Sequence, residues 1–556
     1  MISLVKLFFA AFLAAACLQA QGPVYPQRWV YISRSLTDDR HVEDIRQIAE
    51  TASQHGLTAI VLAGGLDRLD LQSPAYFDRL ARVKQICDRY GLEIIPEIFS
   101  VGYGSSVMAH DRNMAEGLPV EDALYVVSNG EARLASDPPV GLVNGGLEDF
   151  NGNTERGWNF HDGPGSISFV DTETFVEGRA SLRFENFGPT QTGNARLMQE
   201  IPVRQHRQYR VTFWVKTEDL APANEFRMQV LTAIDGRALA PWSPNVPATT
   251  GWRKLTWGFN SADYERVRIY AGIWAGKGGR FWLDDFRIEE VGLLNVLRRD
   301  GTPLTVRDDA SDTVYEEGID FAPIRDLSLN FRFDHDGPAI RILPGSRIQQ
   351  GQRLRVSYYH GMSVNDGQVS ICMSEPRLYD IWRDQARRMH ELLAPSKYFL
   401  SMDEIRAGGS DYACKMRGMT MAQILGDTIT RQTAILREAN ADAEVYIWSD
   451  MLDPNHNAHG NYYLVEGDYT GSAEYVPWDL GIVCWYYARR RPSLDFFSGR
   501  GFRTVAGAYY DGDTLDNPKG WLAALDQTPG AVGIMYTTWE NKYGLLGPFG
   551  DLVSQR

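Results

Sequence analysis

Cysteine is scarce in this chain of 556 residues: there are five, and none forms a CxxC pair. That scarcity excludes a local zinc motif and a dense disulfide framework, so Cys87, Cys372, Cys414 and Cys484 are expected as free, mostly buried thiols. No run of lysine or arginine marks a phosphate-tracking stripe, and the formal charge is −15, so nucleic acid is not an expected partner. Long apolar runs are also missing, except at the start, which leaves no transmembrane candidate. There, Lys6 precedes an apolar core from Leu7 to Ala16 and small residues near Ala20, the pattern of a secretory signal cleaved after Ala20. Ala14-Ala15-Ala16-Cys17 is an alternative lipoprotein-type box that would leave Cys17 lipidated. Either reading sends the mature chain out of the cytoplasm, to the periplasm or the medium.

What the chain does have is length, aromatic rings and two kinds of periodicity. At about 150 residues per domain its length suits two to four domains. Its 14 Trp and 26 Tyr offer flat apolar faces for sugar C–H groups, which favours an oligo- or polysaccharide as partner. After the signal (1–20), residues 21–139 open with strand, helix and strand patterns: Arg28–Ser33, then Val42, Ile45, Ile48, Ala49 and Ala52 at helical spacing, then Thr58–Leu62. Ser73-Pro74 begins a second helix and Gly91 ends it before the strand at LEIIPEIF. From 140 to 291 short alternating strands and Gly/Pro/Asn turns replace the helices, and 292–360 continues β-rich. Helix and strand then alternate again over 361–556. The count is eight strands, three before the interruption and five after it. This predicts an α/β fold: a (β/α)8 barrel interrupted after its third strand by a β-sandwich and a smaller β-rich segment.

Residues 140–291 resemble the carbohydrate-binding modules of families 4 and 9. The resemblance lies in LVNGGLED (Leu142–Asp149), Gly157-Trp158, GRASLRF (Gly178–Phe184), QYRVTFWVKT (Gln208–Thr217), TTGWRKLTW (Thr249–Trp257) and FWLDDFRI (Phe281–Ile288). It implies a jelly-roll sandwich with a structural calcium, for which Glu148 and Asp284 are the matching carboxylates. Alternation places Trp214 and Trp282 in the sandwich core and leaves Trp242 and Trp274 for stacking on sugar.

The chemistry is expected where the apolar run Tyr398–Leu400 ends in Asp403 and Glu404, at the carboxyl end of the fourth strand, which is the catalytic face of such a barrel. The other strand ends supply Arg34, Glu97, Trp448, Asp450, Trp485, Tyr509, Asp511, Trp539 and Glu540, a ring of acids and indoles suited to a sugar pocket. Adjacent carboxylates in one pocket cannot both ionise cheaply, so one is raised toward the range of a general acid.

This half of the chain resembles glycoside hydrolase family 20, the β-N-acetylhexosaminidases. The shared elements are the Asp-Glu pair, Trp448-Ser449-Asp450, the Tyr-x-Asp of Tyr509 and Asp511, and a Trp followed by Glu at the last strand. The resemblance implies Glu404 as general acid and Asp403 orienting a substrate acetamido group that attacks the anomeric carbon, with no catalytic cofactor. Tyr509 would support the acetamide, Trp448, Trp485 and Trp539 would wall the pocket, and Arg34, Asp511 and Glu540 would hold hydroxyls. The family's His-x-Gly-Gly is replaced here by Phe399–Met402, and Trp539-Glu540 lacks its one-residue gap. Two alternatives stand beside this reading: a glycosidase using Glu540 or Asp511 as nucleophile, and a polysaccharide-binding protein without catalysis.

Overall fold

A computed structural model describes residues 22–556. The expected signal segment, with Cys17, lies outside the described residues. Eight parallel strands close into a barrel in chain order. They are β1 (Gln27–Ser33), β2 (Ala59–Ala63), β3 (Glu93–Ile98), β4 (Lys397–Leu400), β5 (Glu444–Trp448), β6 (Gly481–Cys484), β7 (Arg503–Tyr509) and β8 (Ala531–Thr537). Helices α1 (Asp39–Gln54), α2 (Pro74–Tyr90), α3 (Pro376–Leu393), α4 (Met421–Ala439), α5 (Arg490–Ser498), α6 (Asp516–Leu525) and α7 (Leu546–Ser554) accompany them. Helix α2 starts and stops where its sequence signals lie. The Ser73 hydroxyl accepts from the Tyr76 N–H, Pro74 occupies the first turn, and Gly91 takes φ 66° at the end.

Strand alternation decides what fills the barrel. Trp29 and Tyr31 on β1, Ala59 and Val61 on β2, Ile95 on β3, Phe399 on β4, Tyr446 and Trp448 on β5, Val483, Val505 and Met535 form one inner cluster. The intervening residues, such as Val30, Ile32, Ile60, Tyr398 and Leu400, pack outward with the helices. Gly507 on β7 makes room for the inner indole of Trp448, because a Cβ there would lie 3.3 Å from its Cζ3.

Between β3 and β4 the chain builds two further β units. Two five-stranded antiparallel sheets face each other, one centred on Gln208–Ala221 and Gly278–Val291, the other on Phe226–Thr232 and Arg266–Ile273. Their inner faces share an apolar core that includes Phe184, Phe213, Phe226, Phe259 and Phe281. Neither Trp214 nor Trp282 belongs to that core: Phe213 and Val215, and likewise Phe281 and Leu283, take the inward positions, leaving Trp214 half-exposed on the outer face and Trp282 buried there under Lys216, with its Nε1 donating to Asp171 at 2.9 Å. Trp242 and Trp274 are half-buried.

A six-stranded sheet joins Thr305–Asp308, Val314–Tyr315, Ile340–Arg341 and Arg353–His360 to Leu118–Ser128 and Glu131–Leu134. The last two strands fall within 21–139, the stretch expected to belong to the barrel. They pair instead with strands more than two hundred residues later, as in Leu354 with Tyr125. The local cause is the Asn129-Gly130 turn, both residues left-handed (φ 53° and 79°), which folds the two strands into a tight hairpin.

Candidate active site

At the carboxyl ends of the barrel strands lies a cavity of about 460 Å³, lined by Glu97, Asp403 and Glu404 and walled by Tyr31, Tyr103, Trp448, Trp485, Tyr510 and Trp539. Ser401 completes it. Asp403 faces this cavity because the alternation that points Phe399 inward continues through Ser401. Glu404 should then point away. It lines the same cavity because its backbone is left-handed (φ 50°), a conformation that costs a non-glycine residue of order 1 kcal/mol or more. Three contacts hold that turn. Asp450 Oδ2 accepts from the Glu404 N–H at 2.9 Å, Gln368 Nε2 donates to the Glu404 carbonyl at 2.7 Å, and Arg406 donates to Gln368 Oε1. Gly102 presses on the same backbone, since a Cβ there would lie 2.1 Å from the Asp403 carbonyl oxygen.

The three acids have different surroundings. Glu404 Oε1 pairs with Arg406 Nη2 at 2.8 Å, and Oε2 accepts from the Tyr103 hydroxyl. Asp403 has no cation among its contacts and accepts from the Ser401 hydroxyl at 3.1 Å. Burial, and after it the charges of Asp450, Glu97 and Glu404, push its carboxyl well above the usual range. Glu97 accepts from the Tyr31 hydroxyl at 2.8 Å and Trp448 Nε1 at 3.0 Å, yet burial outweighs both donors and carries it up to about 7. One wall of the pocket therefore carries a cation-paired carboxylate, and its interior carries two acids that favour the proton.

The remaining residues singled out by sequence divide into lining and support. Trp448, Trp485 and Trp539 line the cavity, with Trp539 46% exposed at the mouth. Asp450 is fully buried beneath it and binds the loop, accepting from Glu404 N, Asn457 Nδ2 and Trp485 Nε1. Asp511 ties the β8 loop, accepting from the Thr538 hydroxyl and from the N–H groups of Trp539 and Glu540. Glu540 is solvent-exposed and pairs with Lys542 at 2.7 Å. Arg34 pairs with Asp44 at 3.1 Å and donates to Asn541, joining two loops at the rim.

Tyr509 is turned away from the cavity. Tyr509, Tyr510 and Asp511 are all left-handed (φ 82°, 56° and 60°), and this reverses the alternation of β7. Tyr509 stacks on Tyr536 in the outer layer at 4.1 Å between centroids, and Tyr510 faces the pocket, parallel to Trp485. Sequence reasoning missed Tyr31, Tyr103, Tyr510 and Arg406. Tyr31 had a usable signal, since it alternates with Trp29.

In the sandwich, both Glu148 oxygens accept from the Arg179 N–H at 2.9 and 3.1 Å. Asp284 is buried and accepts from Val176 N at 2.6 Å and Asp285 N at 2.7 Å. Beside them Glu155 is only 2% exposed, and its Oε1 has no hydrogen-bond partner. Burial pushes this carboxyl up to about 8, with the charges of Glu148, Asp149 and Asp284 adding to the shift. The local negative charge and the open Glu155 oxygen favour a cation, but the three carboxylates do not bring their oxygens within 4.8 Å of one another and supply only part of the six to eight oxygens that calcium takes.

No family model and no curated protein match this chain. Among solved structures, a rhamnosidase from Novosphingobium sp. PP1Y is similar at 12% identity, over 95% of this chain and 56% of that one, with a TM-score of 0.31. The arabinose-bound α-L-arabinofuranosidase MgGH51 is similar at 11% identity, over 76% of this chain and 75% of that one, with a TM-score of 0.24. A protein described as CBM4 is similar at 18% identity, over 27% of this chain and 99% of that one, with a TM-score of 0.21. The solved structures that this chain is similar to therefore include glycosidases and carbohydrate-binding modules.

Proposed function

We propose that the chain is a glycoside hydrolase that takes a β-linked glycan into the pocket at the carboxyl ends of the barrel strands. The observation that carries this reading is the unequal environment of Asp403 and Glu404 inside one aromatic cavity. Glycosidic cleavage needs a proton for the leaving oxygen and negative charge beside the anomeric carbon, which becomes oxocarbenium-like. Asp403 keeps its proton and donates it. Glu404, bound by Arg406 and Tyr103, supplies the negative charge. This reverses the roles that the family 20 resemblance implies for the two acids. The indoles pack on the sugar ring and exclude water, which strengthens the charge interactions around it.

The finer proposal is an N-acetylhexosaminide substrate whose own acetamide oxygen attacks the anomeric carbon. With Tyr509 turned outward, Tyr510 would meet that group, because the hydroxyls of Tyr31 and Tyr103 already donate to Glu97 and Glu404. Glu540 and Asp511 lie outside the cavity lining, so a reading with a protein nucleophile would fall to Glu404 or Glu97. A panel of aryl β-glycosides tests the proposal, with turnover expected on the N-acetylglucosaminide or N-acetylgalactosaminide. Turnover of the glucoside or galactoside alone would end the acetamide mechanism, because those sugars carry no internal nucleophile. Glycan binding with no turnover on any member would leave a binding protein.

For the sandwich we propose a structural calcium held by Glu148, Glu155 and Asp284. Adding calcium to chelator-treated protein should raise the melting temperature, and Glu155→Gln should abolish the rise; no shift in the unaltered protein would reject the site.

A further inference from the structure

We propose that Glu116, Cys372, Asp411 and Cys414 form a structural site for one zinc-class divalent ion, separate from the catalytic pocket and from the sandwich. All four side chains are buried, and each offers one ligand atom within 4.8 Å of the others. The two sulfurs stand 3.7 Å apart. In tetrahedral zinc coordination with Zn–S near 2.3 Å, the S···S edge is about 3.7–3.8 Å, so the thiols already hold the spacing that a shared ion imposes. A disulfide would require the sulfurs to close to about 2.05 Å.

The carboxylates favour the ion over the disulfide. Glu116 is 3% exposed, and its Oε1 accepts from the N–H groups of Ser410 and Asp411 at 2.9 and 3.2 Å. Its Oε2 meets only the Cys414 thiol, at 3.9 Å, so a buried carboxylate oxygen turns toward the two sulfurs without a strong donor. Oxidising the thiols would remove even that contact. Arg299 does not take its place: it pairs with Asp411 and reaches Glu375 at 3.4 Å. Two thiolates and two carboxylates carry four negative charges; Arg299 and a divalent ion would offset three. The mixed sulfur and oxygen set suits zinc better than the hard ions calcium or magnesium.

The site joins three separate stretches. Glu116 stands where the chain leaves the barrel for the inserted β units, Cys372 where it returns ahead of α3, and Asp411 and Cys414 just beyond the loop that carries Asp403 and Glu404. An ion here clips both ends of the insertion to the catalytic loop.

Zinc content of the full mature chain, measured after dialysis, and its absorption spectrum after cobalt(II) replacement test the site. One equivalent of zinc per chain and a thiolate-to-cobalt charge-transfer band are expected. Both should be lost in Cys414→Ser and weakened in Glu116→Gln, which preserves volume if the serine variant fails to fold. Retention of no ion and no cobalt band by the unaltered protein would overturn the proposal. So would a Cys372–Cys414 disulfide, read as two fewer titratable thiols when the unreduced protein is unfolded.

Discussion

Asp403→Asn should lower kcat by about 10²–10⁴-fold, the usual contribution of a positioned general acid, while a bound sugar inhibitor keeps its affinity within a few fold. The asparagine fills the same space and still accepts from Ser401, so the fold has no reason to change. What disappears is the proton. Retention of more than a third of wild-type turnover would place the acid elsewhere. The pH profile carries a second reading of the same chemistry. An acid that must be protonated loses activity as pH rises through its raised pKa. Because the Glu97 charge helps to raise Asp403, Glu97→Gln should move the basic limb of kcat/KM to lower pH. The linkage sign for stability is the same. Glu97 is held from an ordinary 4.5 up to about 7. The folded state therefore binds the proton more tightly than the unfolded chain, and stability falls as pH rises between those values before levelling off.

Trp448→Ala should destabilise the barrel by about 3–5 kcal/mol, the range for emptying a buried aromatic site. The residue is 2% exposed and its ring packs against Phe399, Tyr31 and Trp539. On the β7 side Gly507 has no side chain to move into the space. The cavity would open directly beneath the sugar, so a fall in melting temperature should come with a loss of turnover. Trp448→Phe separates the two effects. It keeps most of the packing but removes the Nε1 donor to Glu97, which should raise that acid further. A variant with alanine at 448 that melts like the wild type would show that the ring is not part of the barrel core.

The parts of this protein that follow regular periodicity were legible before any coordinates. Helical spacing around α1 and α2, period-two alternation along the barrel strands, and the βα rhythm on both sides of the insertion suffice for an eight-stranded barrel and for the inward aim of Asp403. The parts that depend on single backbone angles were not legible. Left-handed turns at Glu404 and at Tyr509–Asp511 bring one acid into the cavity and exchange one tyrosine for the next, and nothing in local composition marks them. Polar residues at strand ends raised a different difficulty. Asp450, Asp511 and Arg34 have the residue types of ligands for sugar hydroxyls, but here they satisfy loop N–H groups and neighbouring side chains that would otherwise lack partners. The hairpin at Asn129-Gly130 did have a readable turn signal, but the partner strand beyond residue 350 could not be inferred from it.

The interruption of the barrel also sets the order of events on the ribosome. Three staves emerge first; the edge of β3 must wait for Lys397–Leu400, about 300 residues later, and that of β1 for Ala531–Thr537. At roughly 5–20 residues per second this is about 15–60 s of synthesis with an unpaired parallel edge and half an apolar lining open to the solvent. A nascent chain of this design needs either chaperone cover or a transient partner for that edge, and its yield should be more sensitive to translation speed than that of an uninterrupted barrel.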